Sequence, residues 1–205
     1  MRWGIKIDRN DSNPATRVSY INDNANYTPV SYDNQGNFQW GDWKTFFDTF
    51  FAPVMLNSDG TEAYELNHDD QTKKLDGVTA SDIDDPTFNG SAMLRIKKLW
   101  YHFYLDGDYE CYEFANYRAT NDFCCDCFID KDGNVKEQAY VGLFMGYTNG
   151  SIDGTNKMRS LKYGTVKGCL SYSNTIASAQ QNGSNWGINT YTLYTLLAML
   201  HMMHS

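Results

Sequence analysis

Apolar and polar residues alternate along several short stretches of the chain, which is the pattern of a strand with one buried face. Residues 17–21 alternate in this way, and residues 92–96 have a strand-like composition. Three further pairs of apolar stretches flank Asp-Gly turns, which favour tight hairpin connections. The predicted hairpins are 54–56 with 63–66, 99–105 with 109–112, and 127–129 with 139–147. A mainly antiparallel sheet is therefore expected.

Three segments are predicted to be helical. The first begins at the N-cap Asp42, has aromatic residues at helical spacing and ends at Pro53. The second is capped by Ser173, covers residues 174–181 and stops at Gly183. The third opens at Asn189 or Thr190 and is too short to span a bilayer. Its apolar stripe consists of Leu193, Leu196, Leu197, Leu200 and Met203.

Together these elements predict an α+β fold of antiparallel β-hairpins with a few short helices, ending in an apolar helix. Residues 1–40 are polar and rich in turns, so we expect an N-terminal strand and loop region that packs on a domain of residues 41–205. The alternative is a single domain of residues 1–205, which the chain length also permits.

Composition and charge exclude some classes of function. The chain has 205 residues and a net charge of −8, whereas nucleic-acid binding needs clustered Lys and Arg. It contains no apolar run long enough for a membrane span, and its start does not have the pattern of a signal peptide. The 20 Asp, 19 Asn and 16 Gly residues favour turns over helices.

The five cysteines are Cys111, Cys124, Cys125, Cys127 and Cys169. An odd number without a secretion signal favours reduced thiols. The segment 124–127 invites a zinc hypothesis, but neither a second cysteine pair nor a histidine pair completes a site. Structural thiols are therefore the preferred interpretation, with a metal site as the alternative.

The other candidate motifs for metal binding or catalysis are weak. Asp130–Asn134 resembles the start of a calcium loop, but Gly133 stands at the fourth position and Glu137 is too near to be the last ligand. A hairpin turn explains this segment better. The four histidines are scattered, and the chain has no nucleophile elbow, phosphate loop or dinucleotide-binding motif. We expect no catalytic residue, no cofactor and no metal, and hence no enzyme.

Ten short segments, spread in order along nearly the whole chain, form a recognisable pattern: residues 4–8, 13–18, 41–43, 53–56, 59–61, 64–66, 73–82, 89–93, 157–161 and 186–200. Together these segments resemble a family of bacteriophage and prophage tail proteins. The resemblance implies a tail, structural or receptor-binding protein whose C-terminal part is similar to the C-type-lectin-like fold of formylglycine-generating enzymes. It does not carry over the copper site of those enzymes, because these cysteines do not map onto it.

Two departures from the family pattern stand out. Family members continue past the final helix with segments that complete the lectin-like domain, whereas this chain stops at Ser205. We expect that those strands are missing or that another chain supplies the contacts. Where family members carry a proline-lysine pair, this chain has Ile96, Lys97 and Lys98.

We therefore predict a non-enzymatic virion protein of a tail fibre, baseplate or other host-facing appendage, folded in the host cytoplasm. It would assemble with other virion proteins or bind a host receptor or glycan, without nucleic acid and without membrane insertion. A lectin-like carbohydrate-binding module is the first alternative, and a formylglycine-generating type of enzyme is the second.

Binding is predicted on the loops, since strands supply rigidity while loops vary. The candidate surface combines aromatic residues with amides, a composition typical of recognition. Its residues are Tyr147, Asn149, Asp153, Asn156, Tyr163, Asn182, Asn185 and Trp186. Trp186 lies beside a helix start, so burial is its alternative role.

Oligomerisation is predicted through the last helix, where apolar residues extend beyond one face. A homo-oligomer is expected, and the resemblance favours a trimer. The residues of this surface are Tyr191, Leu193, Tyr194, Leu197, Met199 and Met202.

Overall fold

The computed structural model describes residues 1–148, 157–163 and 171–204. The predicted class is confirmed at the coarse level: the fold is α+β, with antiparallel sheets and short helices. The strands are β1 (Arg2–Asp8), β2 (Val18–Asn22), β3 (Ser31–Tyr32), β4 (Phe38–Gln39), β5 (Phe51–Asn57), β6 (Glu62–Glu65), β7 (Gly90–Lys97), β8 (Trp100–Asp106), β9 (Tyr109–Ala115), β10 (Gln138–Gly142), β11 (Tyr147–Thr148) and β12 (Met158–Arg159). The α-helices are α1 (Pro14–Arg17), α2 (Lys44–Phe50), α3 (Tyr172–Gln180) and α4 (Tyr191–His204).

The chain forms two compact units, each built from separate stretches of sequence. The first contains residues 1–49, 97–139 and 190–205, and the second contains residues 50–96 and 140–189. Within the described residues, no helix has both the length and the apolar character that crossing a bilayer requires.

The first unit is organised by a four-stranded antiparallel sheet in the order β2-β1-β9-β8. The hairpin predicted around residues 106–108 is confirmed, since Asp106 lies opposite Tyr109 across the turn. Gly107 has a φ of 58°, a left-handed conformation that glycine adopts without steric cost. Strand β1, which pairs with both β2 and β9, brings the N-terminus of the chain into the sheet.

The predicted boundary at residue 41 lies inside this first unit, because Trp43 joins the segments on both sides of it. Trp43 is fully buried, and its Nε1 donates a hydrogen bond of 3.1 Å to the hydroxyl of Tyr20. Its ring packs edge-on against Tyr27 and Phe46, at centroid distances of 5.2 and 5.5 Å. Residues 1–40 therefore share one core with the segment that follows them.

The second unit contains a four-stranded sheet in the order β10-β7-β5-β6. The hairpin predicted around Asp59 and Gly60 is confirmed as β5 and β6. Central strand β5 is almost wholly buried, with Met55 on one face of the sheet and Val54 on the other. This burial on both faces explains its continuous apolar sequence.

Pro53 does not end the first predicted helix as expected, because it lies within β5. A short 3₁₀ turn at Gly41–Trp43 leads into α2, which already ends at Phe50. The carbonyl of Pro53 accepts a hydrogen bond of 2.8 Å from the N–H of Leu66, one residue beyond β6. The nitrogen of Pro53 therefore lies at the end of the pairing between β5 and β6, where the sheet does not require a backbone N–H donor.

The third predicted hairpin is wrong, although its turn forms. Asp130 and Asn134 close the turn, but only Ile129 and Val135 form a bridge beside it. Residues 126–128 form a 3₁₀ turn that buries Phe128. Strand β10 instead pairs with β7, because β7 offers a second edge opposite β5. Strand pairing here follows the available sheet edge rather than proximity along the chain.

The first of the two helices near the end of the chain begins earlier than predicted, whereas the second begins after Thr190 as predicted. Ser171, not Ser173, caps α3, since its hydroxyl accepts a hydrogen bond of 3.3 Å from the N–H of Asn174. Helix α4 packs against the 3₁₀ turn at residues 126–128. Its predicted stripe faces inward: four of its residues are buried and Leu197 is half-buried.

Gly4 on β1 allows the side chain of Glu113 to lie across the strand. A Cβ atom at this position would come within 2.9 Å of Ile21, 3.0 Å of Asn22 and 3.1 Å of Glu113. The amide of the buried Asn24 side chain binds the backbone N–H and C=O of Gly4, at 2.7 and 3.1 Å. Asn22 and Glu113 are held in place by the hydrogen bond between them, and the bonds to Asn24 hold the backbone of Gly4, so an added methyl group has no space.

We predict that Gly4→Ala lowers the free energy of unfolding by about 1–3 kcal/mol, the cost of overpacking a fixed site. The matched control is Gly187→Ala, since a Cβ there meets nothing within 4 Å. That control should change stability by less than about 0.5 kcal/mol. Urea unfolding followed by circular dichroism measures both, and equal stabilities of the two variants would contradict the packing argument.

Candidate functional site

The structure separates the predicted binding residues into buried and exposed groups. Tyr147 is only 2% exposed and Asn182 only 7%, so both are wrong as members of a recognition surface. Trp186 is half-buried, as its alternative role anticipated. Tyr163 and Asn185 are exposed. Three further predicted residues lie outside the described residues: Asn149, Asp153 and Asn156.

Tyr147 belongs to the hydrophobic core of the second unit. It lies in a buried cluster with Met55, Leu66 and Ile83, residues that are distant in the sequence. An aromatic ring on a short strand such as β11 is equally suited to a core and to a surface. Only the arrangement of the neighbouring segments decides between these roles.

Asn182 and Trp186 are held by hydrogen bonds within the second unit. The Nδ2 of Asn182 donates to the carbonyl of Met158 at 2.8 Å, and its Oδ1 accepts from the hydroxyl of Ser58 at 3.3 Å. The Nε1 of Trp186 donates to the carbonyl of Ser58 at 3.0 Å. These side chains therefore fasten the segment after α3 to the β5–β6 hairpin.

The predicted oligomer surface on α4 is also divided. Leu193 and Met199 are buried, because both belong to the face that packs inside the first unit. The residues Leu197 and Met202 are half-buried. Tyr191 and Tyr194 are 83% and 68% exposed. The two tyrosines are one helical turn apart and form the exposed part of this surface.

A buried carboxylate is the centre of a polar cluster in the first unit. Glu113 on β9 is 1% exposed, and its neighbours come from the other three strands of the sheet. The Nε and Nη2 of Arg2 donate to Oε2 at 3.1 and 2.5 Å. The amide of Asn22 and the hydroxyl of Tyr104 donate to Oε1 at 3.0 and 3.2 Å.

This arrangement stabilises the sheet, because it uses the hydrogen-bonding capacity of the Glu113 carboxylate within the sheet. A carboxylate offers about four acceptor sites, and the four donors occupy them. Arg2 also compensates the buried negative charge, which would otherwise be costly. Burial and the neighbouring carboxylate raise the pKa of Tyr104, so its hydroxyl stays protonated and acts as a donor.

Aromatic rings form one side of the Glu113 cluster. His102 stacks on Tyr104 with ring centroids 4.7 Å apart, and it lies 5.4 Å from Phe123. The guanidinium of Arg2 lies over the ring of Phe123 at 5.5 Å. These contacts orient Arg2 toward Glu113, which makes the cluster more rigid.

The described cysteines have the properties of structural thiols. The four are free, and Cys111 and Cys125 are buried. Burial raises the pKa of each thiol above its ordinary value, and that of Cys127 to about 12. Among the residues that the structure describes, no group of three His, Cys, Asp or Glu side chains could hold a metal ion. The fifth cysteine, Cys169, lies outside them.

Many loop aspartates bind the backbone and a threonine close by. In the β5–β6 turn, Asp59 accepts hydrogen bonds from the N–H and the hydroxyl of Thr61, at 2.9 and 2.6 Å. Asp130 accepts from the N–H groups of Asp132 and Asn134, so the calcium-like segment is a turn, as predicted. These bonds favour the charged carboxylate and lower its pKa, and at Asp130 the largest contribution comes from the ammonium of Lys136 at 2.8 Å. The aspartates with a lowered pKa are Asp11, Asp33, Asp42, Asp59, Asp70, Asp76, Asp85 and Asp130.

The chain matches no protein-family model, no curated protein and no solved structure. The resemblance to phage tail proteins therefore stays a prediction, carried by the segments from Gly4 to Leu200. The roles of the Glu113 cluster and of the exposed residues on α4 are therefore inferred from their contacts and their solvent exposure.

We predict that Glu113→Gln lowers the free energy of unfolding by about 1.5–3 kcal/mol, because it removes charge-assisted hydrogen bonds from a buried site. The amide that replaces one oxygen also cannot accept the bonds from its donors. The matched control is Glu137→Gln, whose carboxylate pairs with Lys98 at 2.6 Å but is 82% exposed. The control should cost less than about 0.5 kcal/mol. Thermal and urea unfolding test both, and similar losses in both variants would contradict the role given to burial.

We also predict that stability falls as the pH is lowered from about 5 to about 3. The lowered pKa of each turn aspartate means that the unfolded chain takes up protons first, so its population rises with acidity. The triple variant Thr61→Val, Thr72→Val, Thr87→Val should weaken this dependence, since it removes hydroxyl donors to aspartates. Thr175→Val is the control, because that hydroxyl binds a backbone carbonyl. Urea unfolding at several pH values tests this, and identical pH profiles for the triple variant and the unmodified chain would refute it.

Proposed function

We propose that the protein is a non-enzymatic structural protein of a phage tail appendage. It would belong to a tail fibre, a baseplate or another host-facing part of the virion, after folding in the host cytoplasm. Its role would be to bind neighbouring virion proteins or a receptor on the host surface. The resemblance of ordered segments along the chain supports the virion assignment.

One observation supports a binding role above the others: the exposed tyrosine pair on α4. Tyr191 and Tyr194 are large rings on a helix whose opposite face is anchored by Leu196 and Met203, both almost fully buried. A tyrosine held on a fixed helix offers apolar area and a hydroxyl at a small entropic cost. Such side chains are enriched among the residues that contribute most to protein interfaces.

Within this proposal, the fold is C-type-lectin-like and the terminal apolar helix is an assembly element. The tyrosine pair would contact other copies of the chain, in a trimer by the resemblance, or another virion protein. Tyr163 and Asn185, both exposed, remain as loop residues that could face a receptor or a glycan. A lectin-like carbohydrate-binding module is the alternative that these two residues support.

The test uses phage particles that encode the chain. We predict that the chain is found in purified particles by mass spectrometry and that Tyr191→Ser, Tyr194→Ser lowers its incorporation or host adsorption at least about tenfold, the effect of losing interface anchors. Tyr172→Ser is the matched control, since Tyr172 is 72% exposed on α3 and should have no effect.

Absence of the chain from purified particles would refute the virion assignment. Equal incorporation and adsorption of the double variant and the control would refute the role of the tyrosine pair. Binding to a glycan array that a chelator abolishes would instead favour the carbohydrate-binding alternative.

A further inference from the structure

Strand β8 forms one edge of the sheet in the first unit, and part of this edge carries unused backbone groups. Tyr101 uses its outward N–H and C=O in a bridge to Cys124, at 2.9 and 3.0 Å. Backbone groups alternate in direction along a strand, so those of Phe103 and Leu105 point to the same side. Within the described residues, these groups have no hydrogen-bond partner there. The edge is therefore open from Phe103 to Leu105.

The side chains at this open edge are apolar and exposed. Phe103 is 50% exposed and Leu105 is 57% exposed, and both lie on the same face of the sheet. The ring of Phe103 packs on Tyr112 of the neighbouring strand at 4.9 Å. Val18, in the same cross-strand row as Leu105, is 41% exposed. An open edge with apolar side chains is a template for pairing with another strand.

We propose that β8 pairs with β8 of a second copy of the chain, in antiparallel orientation, about a two-fold axis at Tyr104. The unused backbone N–H and C=O groups of Phe103 and Leu105 define this register. Phe103 of one copy lies opposite Leu105 of the other, and each pair exchanges two backbone hydrogen bonds. A register centred on Phe103 would need the groups of Tyr101, which Cys124 already binds. One centred on Leu105 would use Gly107, which belongs to the turn.

The side chains are complementary in this register. On one face, Phe103 of each copy packs against Leu105 of the other. These two symmetry-related pairs cover the exposed side chains. On the other face, His102 lies opposite Asp106 of the second copy, so an imidazole donor meets a carboxylate. Cross-strand pairs of both kinds stabilise sheets. The two four-stranded sheets become one continuous sheet, and the symmetry is closed.

This interface is independent of the proposed function, because it involves neither a virion partner nor the tyrosines of α4. It is also small, since only the segment from His102 to Asp106 of each copy takes part. We therefore expect a reversible dimer of the weak, transient class. The net charge of −8 on each copy opposes association, so added salt should strengthen the dimer.

Sedimentation of the full chain from about 5 to about 500 µM, the range for weak interfaces, tests the proposal. We expect a concentration-dependent pairing step that doubles the mass of the species present at the lowest concentration, and Leu105→Lys should weaken this step at least about tenfold, since Lys protects strand edges from pairing. Val18→Lys is the matched control, with the same change of charge on an exposed residue of the opposite edge strand. It should leave the dissociation constant within about twofold.

A disulfide tests the register itself. Both cysteine variants are made together with Cys111→Ala, because Cys111 lies opposite position 104 on β9 and would form a disulfide with a thiol there. In Tyr104→Cys, the new thiols of the two copies then face each other across the axis, at a Cα separation of about 4.5 Å that a disulfide can bridge. In Phe103→Cys, the thiols of the two copies are about 7–8 Å apart on a diagonal, which is beyond disulfide reach. Mild oxidation followed by peptide mass spectrometry should show the linked peptide for Tyr104→Cys alone.

A chain that stays monomeric over this concentration range would overturn the proposal. An unchanged dimer in Leu105→Lys, or a linked peptide for Phe103→Cys alone, would overturn it as well. Circular dichroism confirms that each variant is folded. Tyr191→Ser, Tyr194→Ser should leave the dimer intact, which separates this interface from the surface on α4, and loss of the dimer in that variant would also contradict the proposal.

Discussion

The carboxylate of Glu113 joins all four strands of the sheet in the first unit. Arg2 comes from β1, Asn22 from β2 and Tyr104 from β8, while Glu113 itself stands on β9. A buried carboxylate is stable only when its charge and its acceptor sites are compensated, so these residues depend on one another. Gly4 belongs to the same constraint, because only a residue without a side chain leaves room for Glu113.

The two acidic residue types have different structural roles in this chain. Aspartates such as Asp59 have short side chains that bind a backbone N–H two residues away, so they form turns locally. Four of the five glutamates join distant segments through basic partners. Glu62 and Glu65, for example, bind Arg95 at 2.8 and 2.9 Å. The excess of aspartate in the composition therefore reflects many local turns.

We propose two surfaces of the first unit for binding partners, and these surfaces differ in kind. The tyrosine pair of α4 presents side chains on an anchored helix, whereas the edge of β8 presents backbone groups together with Phe103 and Leu105. A helix surface recognises a partner by shape and side-chain chemistry. A strand edge recognises another strand through the regular spacing of its hydrogen bonds.

Local patterns determined the two hairpins at Gly60 and Gly107, the inward stripe of α4 and the turn at Asp130. Each depends on residues close together in the sequence, so its physical cause is visible there. Tertiary structure alone decided that Tyr147 is buried, that β10 pairs with β7, and that two discontinuous units form. These outcomes depend on which strand edge or apolar face is free after distant segments have met. Arg2 and Glu113, which are distant in the sequence and pair in the sheet, are an example of such a meeting. A one-dimensional pattern contains no signal for such long-range choices, because many pairings satisfy it equally well.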